Sequence, residues 1–200
     1  MVLRFAGFLS ARGFNVDPGV RMYGFMYVEL QRYISTHIGP MAWQDTCRQA
    51  TGGRSAFKAT EYYADADFVA LVKSLSRLAG VELPGLLEDF GAFLVPSLIA
   101  AHSDRVQPEW NALDILANAE QHVRTTRLID ADILPPPVRA ERVSAREVRI
   151  HYASTRKLCC VARGMARGVL VHYGEIGSVK ETACTHHGAP ECIIMVKRLA

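Results

Sequence analysis

The spacing of hydrophobic positions changes once along this chain. Over residues 22–38 apolar side chains recur at helical intervals, at Phe25, Val28, Leu30, Tyr33 and Ile34, and Gly39-Pro40 ends the run. A short helix over 41–50 follows, stopped by Gly52-Gly53, and then an aromatic loop over 57–63. Asp65 is placed to cap a helix over 65–78, with Phe68, Val69, Leu71, Val72, Leu75 and Leu78 as its core stripe and Gly80 as its end. Residues 84–101 form another helix, with Leu86, Leu87, Phe90, Phe93 and Leu94 inward and a kink expected at Pro96. A fifth helix is predicted over 109–127, carrying Trp110, Leu113, Ile115, Leu116, Ala119 and Val123 on or near one face, and His122 about one turn beyond Ala119.

The triple proline 135–137 breaks the helical pattern, and from there the period is mostly two. Residues 137–143 and 147–153 read as paired strands, 157–173 as a helix, and 175–182 and 191–198 as two further strands. The predicted class is α+β: a helical part over 22–127, then a four-stranded antiparallel sheet with one packed helix over 137–200. Residues 1–21 stand outside this single domain, as an extension that is non-native or disordered.

Composition bounds what the chain does. With 50% apolar residues in 200 it can bury a sizeable core. A net charge of +3, without a basic run interleaved with aromatics, does not argue for nucleic acid. No stretch approaches the roughly 20 apolar residues of a membrane span. The apolar patch near the start is interrupted by Arg12 and makes a poor export signal. The expected compartment is the cytoplasm, where the five cysteines are free, metal-bound or redox-active rather than paired in structural disulfides.

One stretch, RIHYASTR over 149–156, carries candidate chemistry. Val148, Ile150 and Tyr152 face one way and Arg149, His151 and Ala153 the other. Tyr152, Ser154 and Arg156 then recur at alternate positions, and in an extended segment they share one face. Two hydroxyls and a guanidinium so placed can hold neighbouring carboxylates, with Arg binding bidentately. The same residues also suit an edge strand running into a turn, with a capping Ser and a surface Arg.

The chain resembles the heme nitric oxide/oxygen binding (H-NOX) family, related to the heme domain of soluble guanylate cyclase. The resemblance rests on Met22-Tyr23-Gly24, on the segment from Tyr63 through Phe90-Gly91, on His122 followed thirteen residues later by Pro135, and on Tyr152-x-Ser154-x-Arg156. It implies a heme b cofactor. His122 would be the axial iron ligand, and Tyr152, Ser154 and Arg156 would hold the propionates. Met26, Leu30 and Val161 would line the distal side, with Val161 where oxygen-binding members place a hydrogen-bonding Tyr. Such an apolar distal side on a five-coordinate iron implies nitric oxide as the ligand. The resemblance also implies a sensor rather than an enzyme, with a histidine kinase or cyclic-di-nucleotide enzyme as a separate partner; a chain of this length leaves no room for an output domain of its own.

Four cysteines fall in the last third: Cys159, Cys160, Cys184 and Cys192. With His186 and His187 between the last two, they suggest a zinc site of Cys159, Cys184, His186 and Cys192, with Cys160 or His187 as alternative ligands. A heme-free zinc or redox-sensing module on the same scaffold is the competing expectation. Cys159 or Cys160 beside His151 or His172 is the one nucleophilic pairing an enzyme would use.

Overall fold

The structure, a computed structural model, describes residues 21–129 and 135–199. It is α+β, as the change of period predicts. Strand β1 (Arg21–Tyr23) leads into helices α1 (Phe25–His37) and α2 (Pro40–Ala50), and β2 (Tyr62–Ala64) into α3 (Asp65–Ala79) and α4 (Leu83–Ala101). Helices α5 (Ala112–Ala117) and α6 (Ala119–Ile129) complete the helical part. Strands β3 (Val138–Ser144) and β4 (Glu147–Tyr152), helix α7 (Cys159–His172), and strands β5 (Gly177–Ala183) and β6 (Cys192–Arg198) make the second part.

The four long strands form an antiparallel sheet in the order β3-β4-β6-β5. Period-two alternation sets its faces. Val148, Ile150 and Tyr152 of β4 and Cys192, Ile194 and Val196 of β6 are buried beneath α7. On the other face Arg149 and His151 meet Glu141 and Glu191 in cross-strand ion pairs.

Helix α7 lies between sheet and helices. Ala166, Val169 and Leu170 join the cluster built on the sheet, whereas Val161 belongs to the helical core with Leu30, Phe90 and Leu94. Its contact with α4 is unusually close. A Cβ on Gly91 would collide with the Val161 carbonyl, one on Gly164 with the Glu88 carbonyl, and one on Gly168 would stand 2.7 Å from the Ala92 carbonyl oxygen. Glycine at these places lets the two backbones touch. Ion pairs flank the seam: Arg163 and Arg167 both hold Glu88, and Arg167 also holds Asp89.

Several expectations change. β1 and β2 pair antiparallel, Met22 opposite Tyr63, so the exposed Arg21 is a strand residue and the aromatic loop ends in a strand. Three-residue strands are too short to show a period. Gly24 follows β1 because a Cβ there would strike the Lys58 carbonyl. Asp65 is not the cap of α3. Ala64 holds that position, and the buried Asp65 carboxylate faces Arg156 instead. Leu78 leaves the core stripe and is 46% exposed. Pro96 lies inside helix α4, which continues to Ala101. At 19 residues and mean hydropathy 1.4 it is long and apolar enough to cross a membrane, contrary to the sequence reading. Its Glu88 and Asp89 are ion-paired and its Leu86, Leu87, Phe90, Leu94 and Val95 packed, as in a core helix.

The predicted fifth helix is two. Asn111 and Asp114 form a reciprocal capping box that starts α5. Asn118 ends it, its side-chain amide donating to the Asp114 carbonyl at 2.9 Å. α6 then restarts at Ala119. Local side-chain competition for backbone groups breaks a run that hydrophobic spacing alone reads as continuous.

The seam predicts a sensitive substitution. Gly164→Ala is expected to lower stability by about 3 kcal/mol through overpacking against α4, read as a fall in the denaturant midpoint with unchanged slope. The same change at Gly85, where a Cβ meets nothing within 4 Å, should leave the midpoint within about 0.5 kcal/mol of the parent.

Candidate functional site

Three groups of side chains carry chemistry. The first is built around His122 on α6. Its ring is half-buried, with Trp110 edge-on at 6.3 Å between centroids and His102, at the C-terminal end of α4, also at 6.3 Å. Burial lowers the His122 pKa, and the nearby His102 and Arg105 lower it further against a small opposing effect of Asp104. The imidazole is thus biased to its neutral form, the form that ligates a metal. Beside it, Nη1 of Arg105 is buried without a hydrogen-bond partner.

The second group is the Tyr152, Ser154, Arg156 signature. The expected extended run stops at Tyr152, the last residue of β4. Residues 154–157 form a turn, with the Lys157 N–H donating to the Ser154 carbonyl at 3.1 Å and Lys157 at φ 54°. The three side chains nevertheless converge. Tyr152 is 5% exposed and its hydroxyl bonds Ser154; burial pushes its pKa up to about 12, so it remains a donor. Ser154 Oγ accepts from the Arg156 backbone N–H at 3.2 Å. Arg156 Nε donates to Asp65 Oδ2 at 2.6 Å, and its Nη2 to the Arg21 carbonyl at 2.9 Å. The guanidinium therefore ties β1 and α3 to the end of β4. Asp65 Oδ1 is buried with no partner.

The third group is cysteine-rich. Sγ of Cys159, Cys184 and Cys192 and a carboxylate oxygen of Glu181 all lie within 4.8 Å of one another. Cys159 and Cys184 sulfurs are 3.8 Å apart, and Cys184 and Cys192 4.0 Å. The structure brings together three of the four predicted ligands and replaces the fourth. His186 turns away, Nε2 bonding the Lys157 carbonyl at 2.8 Å, because the 3₁₀ turn Thr185–His187 points it back at the end of the signature. Glu181 takes its place from β5. The sequence held a signal for it: Gly177, Val179, Glu181 and Ala183 alternate on the less exposed face. Its Oε2 accepts from Arg163 at 2.9 Å, while Oε1 is buried without a partner.

Cys160 stands outside the cluster, with the Arg163 guanidinium 3.8 Å from its sulfur. A hydrogen bond from Cys159 draws the Cys160 pKa down, assisted by Arg163, and burial opposes it. His187 lines an open groove with Glu181, Cys184 and Ala189. His151 is engaged with Glu191 at 2.7 Å on the outer sheet face, away from the buried Cys159. The predicted distal residues are core: Leu30 and Val161 are buried among the helices and Met26 packs against them.

The donor chemistry fits a dicarboxylate cofactor with a central metal. It offers a neutral-biased imidazole, the buried Tyr152 hydroxyl with the half-buried Ser154 hydroxyl, and the unpartnered Arg105 N–H beside the imidazole. Arg156 fits with a difference, since Asp65 already occupies its Nε.

In comparisons with known proteins the chain matches a family model and solved structures over most of its length. The family model described as Haem-NO-binding matches residues 23–181. No curated protein matches the chain in sequence. Among solved structures it is similar to an H-NOX protein from S. oneidensis in the Fe(II)NO state, with TM-score 0.81 and 18% identity over 90% of this chain and 100% of that one. It is similar to the unliganded Fe(II) H-NOX protein from K. algicida, with TM-score 0.78 and 16% identity over 90% of this chain and 97% of that one. The I5F mutant of T. tengcongensis H-NOX gives TM-score 0.80 and 14% identity over 90% and 98%.

The Asp65–Arg156 pair yields a test. Arg156→Ala strands a buried carboxylate and is expected to cost about 3–5 kcal/mol in thermal or denaturant unfolding. The double variant Asp65→Ala, Arg156→Ala should recover part of that loss, giving a coupling energy of the pair.

Proposed function

The chain belongs to the haem-NO-binding (H-NOX) family, and from that premise we propose that it is a heme-based gas sensor selective for nitric oxide, acting on a separate effector protein. One observation carries this reading. His122, biased to neutral by its surroundings, sits on the helix that leads toward the signature end of the sheet, where Tyr152, Ser154 and Arg156 converge. When bound, heme would supply an iron able to bind a diatomic gas. His122 on α6 would hold the iron; the Tyr152 and Ser154 hydroxyls and the Arg156 guanidinium, alongside its bond to Asp65, would hold the propionates. α6, which carries His122, packs on β3, so a displacement of that helix would reach the sheet. The partner this reading assigns is a histidine kinase or a cyclic-di-nucleotide enzyme, and the compartment is the cytoplasm. Protein purified from heme-replete cells is expected to show a Soret band that shifts with nitric oxide. Absence of that band, or a band unaltered in His122→Ala, overturns the assignment.

A second reading, a zinc or redox module on the same scaffold, is favoured by the cluster of Cys159, Cys184, Cys192 and Glu181. Three thiolates and a carboxylate can complete a tetrahedral zinc shell. Burial, with the nearby Glu181 and Cys192, pushes the Cys184 thiol up to about 11 against hydrogen bonds from His186 and Cys159, and a cation there would favour the thiolate. Metal analysis is expected to find one zinc per chain, lost in Cys184→Ser or Cys192→Ser and retained in His186→Ala. Retention in the cysteine variants would dismiss the cluster as a metal site.

A further inference from the structure

Glu181 stands between the thiol cluster and the α4–α7 seam. Its Oε2 accepts from Arg163 Nη1 at 2.9 Å, its Oε1 is buried without a partner, and one of its carboxylate oxygens lies within 4.8 Å of the Cys159, Cys184 and Cys192 sulfurs. Arg163 also grips Glu88 on α4, Nε and Nη2 donating to Oε2 at 2.9 and 2.7 Å. We infer that Arg163 is the positioning residue of a zinc site at the cluster, and that its shared guanidinium couples zinc occupancy to α4. The inference rests on the zinc reading above and is independent of heme.

Helical spacing brings the parts together. Cys159, Arg163 and Arg167 are four apart on α7, so they occupy successive turns of one face. Cys159 is buried in the cluster. One turn on, Arg163 spans Glu181 on β5 and Glu88 on α4. A further turn on, Arg167 meets Glu88 and Asp89, both on α4. Two arginines thus flank the same seam, and Arg163 is the one bonded to the cluster's carboxylate.

The cluster suits a thiophilic dication. Sulfurs about 2.3 Å from a tetrahedral zinc stand about 3.8 Å apart. The Cys159 and Cys184 sulfurs are 3.8 Å apart, and those of Cys184 and Cys192 4.0 Å. Cys192 Sγ accepts from the Thr185 backbone N–H at 3.3 Å, an outer-shell bond of the kind that supports a thiolate ligand. The unpartnered Glu181 Oε1 is costly where it is buried, and a cation at the cluster would supply its partner. A groove lined by Glu181, Cys184 and His187 gives an ion a way in.

Charge gives the coupling its direction. Three thiols that take up a dication release three protons, so the loaded site is one charge more negative than the metal-free one. The guanidinium bonded to Glu181 offsets that charge and favours loading, while Glu88 draws the same guanidinium toward α4. A planar fork cannot turn toward one carboxylate without changing its bond to the other. Loading therefore shifts Arg163 toward Glu181 at the expense of Glu88, beside the point where Gly164 meets the Glu88 carbonyl. Linkage makes the effect reciprocal: freeing Arg163 from Glu88 tightens zinc binding. The metal state of the cluster thereby reaches α4, whose Phe90 and Leu94 lie in the helical core.

The test is the zinc affinity of the full chain, read by competition with a chromophoric chelator. Thiolate ligation is read separately from the charge-transfer absorption of the cobalt(II)-substituted protein. Arg163→Gln should weaken zinc binding by about 10- to 100-fold, the effect of removing an outer-shell partner. Glu88→Gln should tighten it about fivefold, and Arg167→Gln should leave it within about twofold of the parent. General loosening of the seam would weaken binding in all three variants, so opposite signs at 163 and 88 separate coupling from a structural effect. If Arg163→Gln does not fold, Arg163→Lys decides, because one ammonium cannot span both carboxylates: weaker binding than the parent is expected, and parent-like binding overturns the inference. Parent-like binding in Arg163→Gln, or binding in Glu88→Gln no tighter than the parent, overturns the inference and leaves the zinc reading standing. A parent that takes up neither zinc nor cobalt through its cysteines overturns both.

Discussion

The close crossing of α4 and α7 is the constraint on which the rest of the structure depends. Gly91 and Gly164 let the two backbones meet where any side chain would strike a carbonyl. At that separation Arg163 and Arg167 reach Glu88, and Arg163 also spans to Glu181 on β5. One helix is thereby held against the helical core through Val161 and against the sheet through Val169 and Leu170. Interiors are too densely packed to yield smoothly, so a joint of this kind transmits displacement rather than absorbing it.

The candidate sites are arranged around that joint. Glu181 accepts from Arg163 and also has a carboxylate oxygen beside the three cysteines, so the thiol cluster and the α4–α7 seam share a carboxylate. His102 is carried on the far end of α4, and His122 on α6, which packs on β3. The signature at the end of β4 reaches back through Arg156 to Asp65 and Arg21, at the start of the helical part. The signature therefore joins the two halves directly, the thiol cluster reaches α4 through Arg163, and the His122 group reaches the sheet through α6. A change of ligation at one of them acts on contacts that hold the halves together.

Much of the fold was legible because it is written in short-range patterns. The apolar spacing of α1, α3, α4 and α7 located those helices within a few residues, and the alternation of Val148, Ile150 and Tyr152 located β4 and its buried face. The errors have local causes. Asn118 breaks a helix by bonding a backbone carbonyl, and β1 and β2 are too short to show any period. Asp65 has the look of a cap from sequence, yet a guanidinium 91 positions away claims its carboxylate.

By itself the sequence determined the α+β order, the inward face of the sheet, the gathering of Cys159, Cys184 and Cys192, and the family to which the chain belongs. These follow from periodicity and from residue types at fixed spacing. Only the tertiary structure decided that Glu181 rather than His186 completes the thiol cluster, that Asp65 holds Arg156, and that His102 stands beside His122. Those partners lie on different elements, and no spacing along one chain encodes the distance between two elements that meet only in the folded molecule.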